Sequence, residues 1–152
     1  MKEIRIKHYS PAEVSPIRIR EFLLAIHEDY HAGEPCDYDP VPYSEKLAQF
    51  ADCYFAVDCE SDSVVHGGVL GYCNDLKSRV AYISFIGRLK SAGAGLGSQL
   101  IQRFIDLARE RGMNRIRLEV AKSNERARGF YDKFGFMFVE DRGVKLLMEK
   151  CL

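Results

Sequence analysis

The chain has 152 residues, 47% of them hydrophobic, and its 22 Lys and Arg balance 22 Asp and Glu for a formal net charge of +0. That length suits a single domain, residues 1–152, around one sizeable core, and the composition is that of an ordinary globular protein. Charge balance gives no global pull toward nucleic acid or an anionic membrane, so an anionic ligand must be met by local charge.

The segment Met1-Lys-Glu-Ile-Arg-Ile-Lys-His8 alternates charge with isoleucine, unlike a signal peptide. Ile4 and Ile6 against Lys2, Arg5 and Lys7 predict a strand with one buried face. Ser10-Pro11-Ala12-Glu13 reads as a capping box with Pro at the first helical position, and Ser15-Pro16 gives a second start signal. Ile19, Phe22, Leu23, Ile26 and Tyr30 then mark one helical face, which Gly33 and Pro35 stop. Residues 34–42 hold three prolines and read as a loop, followed by a short helix over 44–50. Strands are expected over 53–57, 64–73 and 80–86, a meander whose middle member carries Gly67-Gly68, a candidate bulge.

Arg88-Leu-Lys-Ser-Ala-Gly-Ala-Gly-Leu-Gly-Ser98 comes next, and the chain is organised around it. Gly93, Gly95 and Gly97 alternate, and an amphipathic run, Leu96, Leu100, Ile101, Phe104, Leu107 and Ala108, starts at once. Glycine allows positive φ and close approach of a ligand to the backbone. The first turn of a helix carries unpartnered N–H groups and a partial positive charge. Together they form a cradle for an anion, most often phosphate. The plainer reading is a Gly-rich turn that only joins strand to helix.

Gly112 sits where a C-cap glycine belongs. Ile116, Leu118 and Val120 alternate with Arg117 and Glu119 in the next strand. Asn124 starts a short helix with Ala127, Phe130, Tyr131 and Phe134 on one face, and Gly135 ends it. Residues 136–139 and 144–148 form a final hairpin around Asp141-Arg-Gly143. The element order is β, one or two α, three β, α, β, α, β, β, with a parallel pair expected across the glycine turn and its helix, inside an otherwise antiparallel sheet.

Two motifs carry a resemblance to the GNAT superfamily of acyl-CoA-dependent N-acyltransferases. The loop Ala92-Gly-Ala-Gly-Leu-Gly97 matches the family's Gln/Arg-x-x-Gly-x-Gly/Ala, and Asn124-Glu-Arg-Ala-Arg-Gly-Phe-Tyr-Asp-Lys-Phe-Gly-Phe136 is similar to its Asn-x-x-Ala-x-x-x-Tyr-x-x-x-Gly-Phe. The resemblance implies an α/β fold: a mixed, mostly antiparallel sheet of about seven strands with helices on both faces. It also implies acetyl-CoA as acyl donor. The diphosphate would sit on the main chain of Ala92, Gly93, Ala94, Gly95, Leu96, Gly97 and Ser98. The pantetheine arm would lie against the backbone of Ile86 and Gly87, where the parallel strands splay. Asn124 would hydrogen-bond that arm, and Tyr131 would point its hydroxyl at the sulfur as general acid. Ala92 departs from the family's Arg or Gln, so charge would come instead from Arg88, Lys90, Lys122, Arg126 or Arg128.

The implied reaction moves an acetyl group to a primary amine by direct attack in a ternary complex, with a small-molecule or peptide acceptor. The residues themselves keep plainer roles open: Asn124 as a helix N-cap, Tyr131 as packing beside Phe130 and Phe134. No general base is assigned; Glu119, Tyr82, Ser84, Glu28 and Asp29 are candidates. A non-catalytic acyl-CoA-binding module is the second reading, which Ala92 permits.

His27-Glu28-Asp-Tyr-His31 matches H-E-x-x-H, the zinc hydrolase signature, and puts both imidazoles on one helical face. No second histidine cluster follows, so no metal is expected. Cys36, Cys53, Cys59, Cys73 and Cys151 form no C-x-x-C pair, which predicts reduced thiols and a cytoplasmic setting. No nucleic-acid or membrane partner is expected; exposed strand edges are available for a homodimer.

Overall fold

The computed structural model describes residues 3–152. Lys2, part of the alternation read for the first strand, lies outside them. The strands are β1 (Ile4–Tyr9), β2 (Asp52–Asp58), β3 (Val65–Tyr72), β4 (Val80–Arg88), β5 (Arg115–Ala121), β6 (Met137–Asp141) and β7 (Lys145–Cys151). The helices are α1 (Pro16–His31), α2 (Pro40–Phe50), α3 (Leu96–Glu110) and α4 (Glu125–Lys133). The strands hydrogen-bond in the order β1-β2-β3-β4-β5-β7-β6, mostly antiparallel, with β4 and β5 the parallel pair. The expected order of elements and the mixed sheet are both present.

The described chain divides into two compact units. The first runs through Gly71 and includes Phe85–Phe104. Its core holds Ile19, Phe22, Leu23, Leu47, Phe55, Leu70, Leu100, Ile101 and Phe104, all buried. Phe22 anchors it, with ring centroids 5.1 Å from Phe55 and 5.8 Å from Phe85. Gly68 is required there: a Cβ on it would stand 2.7 Å from the Phe55 ring. The bulge falls beside these glycines, where Ala56 faces Gly67 but Val57 faces Val65, leaving His66 as the extra residue.

Three local expectations are corrected in this unit. Ser10–Glu13 does not start a helix. Ala12 takes φ 71, and its N–H goes to the Ala48 carbonyl at 2.7 Å. Only the Glu13 half of the box forms, its carboxylate accepting the Ser10 N–H. The working start is Ser15, whose hydroxyl accepts the Arg18 N–H at 3.2 Å with Pro16 opening α1. Second, α2 begins at Pro40, inside the expected loop, because Asp39 caps it through the Val41 N–H at 3.1 Å. Pro42 falls in the first turn, where a missing N–H breaks no intrahelical bond. Third, Tyr30 is not on the buried face; it is 40% exposed at the end of α1, with Lys90 Nζ 5.0 Å from its ring centroid.

The second unit comprises Tyr72–Ser84 and Ile105–Leu152. Ala81, Ile83, Ile105, Ala108, Ile116, Leu118, Phe136 and Met148 are buried in it. Gly112 closes α3 as expected, with φ 76, and the Met113 N–H returns to the Ala108 carbonyl at 2.9 Å. Gly135 closes α4 in the same manner with φ 86, the Phe136 N–H returning to Tyr131 at 3.1 Å.

Candidate active site

In the first unit, β4 leads into a tight 3-10 turn, Lys90–Ala92, and then the glycines. Gly93 takes φ +81 and Gly95 φ +100, a conformation strained for any residue with a Cβ. Nothing lies within 4 Å of where a Cβ would stand at either position, so that side of the turn is open. The first helical hydrogen bond runs from the Gln99 N–H to the Gly95 carbonyl at 3.2 Å. The N–H groups of Leu96, Gly97 and Ser98 therefore precede the intrahelical ladder. Gly97 belongs to α3 itself, not to the turn.

The turn is pinned on two sides. Asp29 Oδ2, near the end of α1, accepts the Lys90 N–H at 2.6 Å. The Leu89 N–H donates to the His66 carbonyl at 2.8 Å. Gly67 admits Leu96 so closely that a Cβ there would stand 2.9 Å from Leu96 Cδ2. Ala92 and Ala94 line a cavity of about 340 Å³ together with Gln99, Arg5 and Arg103. Arg5 is already paired with Asp62 at 3.1 Å. Ile86 and Gly87 lie in β4, where a Cβ on Gly87 would stand 3.1 Å from the Phe85 ring.

In the second unit, Asn124 caps α4, its Oδ1 accepting the Ala127 N–H at 3.1 Å. Tyr131 is 8% exposed, with its ring 5.5 Å from Phe130 and 5.8 Å from Phe136 between centroids. Burial pushes its hydroxyl up to about 12, so it holds its proton at neutral pH. The cap and the packing are both real.

The β4–β5 ladder runs Val80↔Arg115, Ala81↔Ile116, Tyr82↔Arg117 and ends, while β5 continues to Ala121. Beside that end, the Tyr82 hydroxyl donates to Glu119 Oε1 at 3.1 Å. Ser84 hydrogen-bonds Tyr72, whose hydroxyl burial raises above its usual value.

His27 and His31 lie 5.6 Å apart between ring centroids on α1. His27 Nε2 is 2.7 Å from the Glu34 carbonyl, and His31 Nδ1 is 3.2 Å from the Glu34 carboxylate. Among the described residues no three His, Cys, Asp or Glu gather as a metal site. No described helix is long and apolar enough to cross a membrane.

A turn with two left-handed glycines opening a helix, and an Asn-capped helix carrying a buried tyrosine, are the features a family model for the Acetyltransferase (GNAT) family spans; it matches residues 21–136. The chain belongs to the GNAT acetyltransferase family. It is therefore an acyltransferase by family. Its sequence is 43% identical over 68 residues to the 5-NmdU N-acetyltransferase of Pseudomonas phage PaMx11, a match covering 43% of this chain and 46% of that protein. The chain thus matches less than half of that relative. Its fold is similar to PaiA N-acetyltransferase from Thermoplasma acidophilum, crystallised in complex with coenzyme A (TM-score 0.71, 19% identity, 99% of each chain). A GNAT acetyltransferase from Staphylococcus aureus Mu50 gives TM-score 0.75 at 17% identity over 99% of each chain.

Sequence reasoning did not pick out Gly67, Gln99 or Arg103. Gln99 and Arg103 stand one helical turn apart on the polar side of α3, a spacing that pointed to a shared face. Gly67 was read for the bulge alone, because its closeness to Leu96 is a tertiary fact.

Proposed function

We propose that this GNAT chain transfers an acetyl group from acetyl-CoA to a primary amine by direct attack. One observation carries the reading: two left-handed glycines open on their Cβ side immediately before the free N–H groups of α3. That arrangement fits a diphosphate, which accepts hydrogen bonds from main-chain amides and is favoured by the helix N-terminus. The backbone from Ala92 to Ser98 makes this grip. Arg103 adds charge from the cavity wall, where Ala92 offers none.

Acetyl-CoA supplies a thioester carbonyl. Ile86 and Gly87 present backbone to its pantetheine arm, and Asn124 hydrogen-bonds the same arm while capping α4. The lone pair of the neutral amine forms the C–N bond as the C–S bond breaks; Tyr131 donates its proton to the departing sulfur, and the proton lost from the amine nitrogen passes to water, from which Tyr131 is reprotonated. Holding both reactants in place supplies the larger part of the barrier lowering. The phage relative's name supports acylation of nitrogen. The chain acts as a cytoplasmic enzyme in this reading, on a small-molecule or peptide amine.

Titration calorimetry with CoA and acetyl-CoA, followed by a thiol-release screen over small amines, amino sugars, amino acids and peptides, tests the proposal. Binding with amine-dependent thiol release is expected. No heat and no competition removes it. Stoichiometric binding without thiol release across the panel leaves a binding module in its place.

A further inference from the structure

We propose that the cavity beside the glycine turn is a second binding site, which takes a small carboxylate with an apolar body and thereby weakens the grip on CoA. The effect on CoA rests on the acetyl-transfer reading above; the site itself does not. Every residue of it belongs to the first unit.

β1 contributes Ile4, Arg5 and Ile6 to the cavity, and α3 contributes Leu96, Gln99 and Arg103. Between them the lining alternates along the turn: Ala92 and Ala94 take part, while Gly93, Gly95 and Gly97 do not. The glycines have their own open side, with nothing within 4 Å of a Cβ at 93 or 95. The turn is thus a partition, with the diphosphate on its glycine side and the cavity on its alanine side.

The charge in the cavity lacks an anion. Two guanidinium groups line it and no carboxylate does. Among the described residues, the side chains of Arg103 and Gln99 have no hydrogen-bond or ion-pair partner. Arg5 shares a single carboxylate with Lys7, Asp62 standing 3.1 Å from the one and 3.0 Å from the other. A guanidinium holds a carboxylate through two parallel N–H donors, and the Gln99 amide can add a third. Ile4, Ile6 and Leu96 suit an apolar body beside that head. The volume, about 340 Å³, lies at the low end of the ~300–1,000 Å³ usual for small-ligand pockets.

The sign of the coupling follows from charge. A carboxylate on Arg103 neutralises the cation that assists the diphosphate, and the two anions repel across the turn. Each ligand then weakens the other by the same factor.

The test is a titration of 3-phenylpropionate into the 15N-labelled full chain, followed by NMR, with 3-phenylpropionamide as the uncharged control and inorganic phosphate as the anion without an apolar body. Shifts specific to 3-phenylpropionate are expected, centred on the amides of Arg5, Ile6, Ala94, Gln99 and Arg103. Arg103→Gln, an exposed change on α3, should weaken this binding about tenfold or more. Equal response to the amide, equal affinity for phosphate, shifts centred elsewhere, or unchanged affinity in Arg103→Gln overturns the site. Calorimetry of CoA at rising 3-phenylpropionate then reads the coupling. The apparent CoA Kd should rise several-fold and level off. A Kd that climbs without limit would mean that the two ligands share one site, and no change would remove the coupling. If CoA gives no heat while 3-phenylpropionate still binds, the acetyl-transfer reading falls and the cavity site stands.

Discussion

Gly67 and Leu96 stand so close that a methyl group on the glycine would come within 2.9 Å of Leu96 Cδ2, 3.1 Å of the Gly87 carbonyl and 3.2 Å of Arg88 Cβ. The strand that carries the bulge thereby sets the height of the first turn of α3. Gly67→Ala should cost about 1–3 kcal/mol of stability by overpacking and weaken CoA binding as well. Gly68→Ala is the control, since its Cβ meets Phe55 and Phe22 instead. At matched loss of melting temperature, calorimetry should show the larger loss of CoA affinity in Gly67→Ala.

Asp29 ties the glycine turn to α1 through the Lys90 N–H. Asp29→Ala removes that acceptor and should raise KM for acetyl-CoA several-fold, with kcat little changed. Asp29→Asn keeps an acceptor oxygen and removes a negative charge near the turn, so its KM should stay close to the parent's. Steady-state kinetics at saturating acceptor separates them, and an unchanged KM in Asp29→Ala would show that the turn holds itself.

Asn124 is given two roles, and they can be pulled apart. Asn124→Ala should lose about 1 kcal/mol through the missing cap and also bind acetyl-CoA less well. Asn124→Ser keeps a capping oxygen, so thermal unfolding should recover while acetyl-CoA affinity stays low. Full recovery of both in Asn124→Ser would leave Asn124 as a cap alone.

Tyr131 has its hydroxyl pushed up to about 12 by burial, against about 10 in an unfolded chain. The native state keeps a proton that the unfolded chain releases between those values. Its contribution to stability is therefore intact below about pH 10 and lost as pH climbs toward 12. A difference titration of tyrosinate absorbance, parent minus Tyr131→Phe, should show this residue ionising only at the top of that range. Thiols leave well, with pKa about 8.5, so Tyr131→Phe should lower kcat by roughly 10² or less. A variant with undiminished kcat would end the general-acid role.

The fold was legible where local chemistry and tertiary demand agreed. Asn124 is both a good cap and the start of α4; Gly112 and Gly135 take the left-handed conformations their positions called for. Misreadings fell where two local signals competed. Ser10-Pro11 and Ser15-Pro16 are equally good helix starts on paper, and the bond from the Ala12 N–H to Ala48 chose between them. The prolines at 40 and 42 read as loop until Asp39 was seen to cap α2. Phe138 lies two residues from the buried Phe136 yet is 61% exposed, because spacing along a strand does not say whether a face is packed against the core. In the candidate site, the glycine turn was visible as three spaced residues. The bond between Tyr82 and Glu119 was not, since it depends on the register of two strands separated by all of α3.

The boundary between the two units cuts through β4 after Ser84 and through α3 after Phe104, besides the crossing after Gly71. No single break in the polypeptide yields either half intact. Split-reporter fusions, domain shuffling and limited-proteolysis fragments will therefore each deliver pieces that lack part of their own interior, and only circularly permuted or whole-length versions are suitable for dissecting this enzyme.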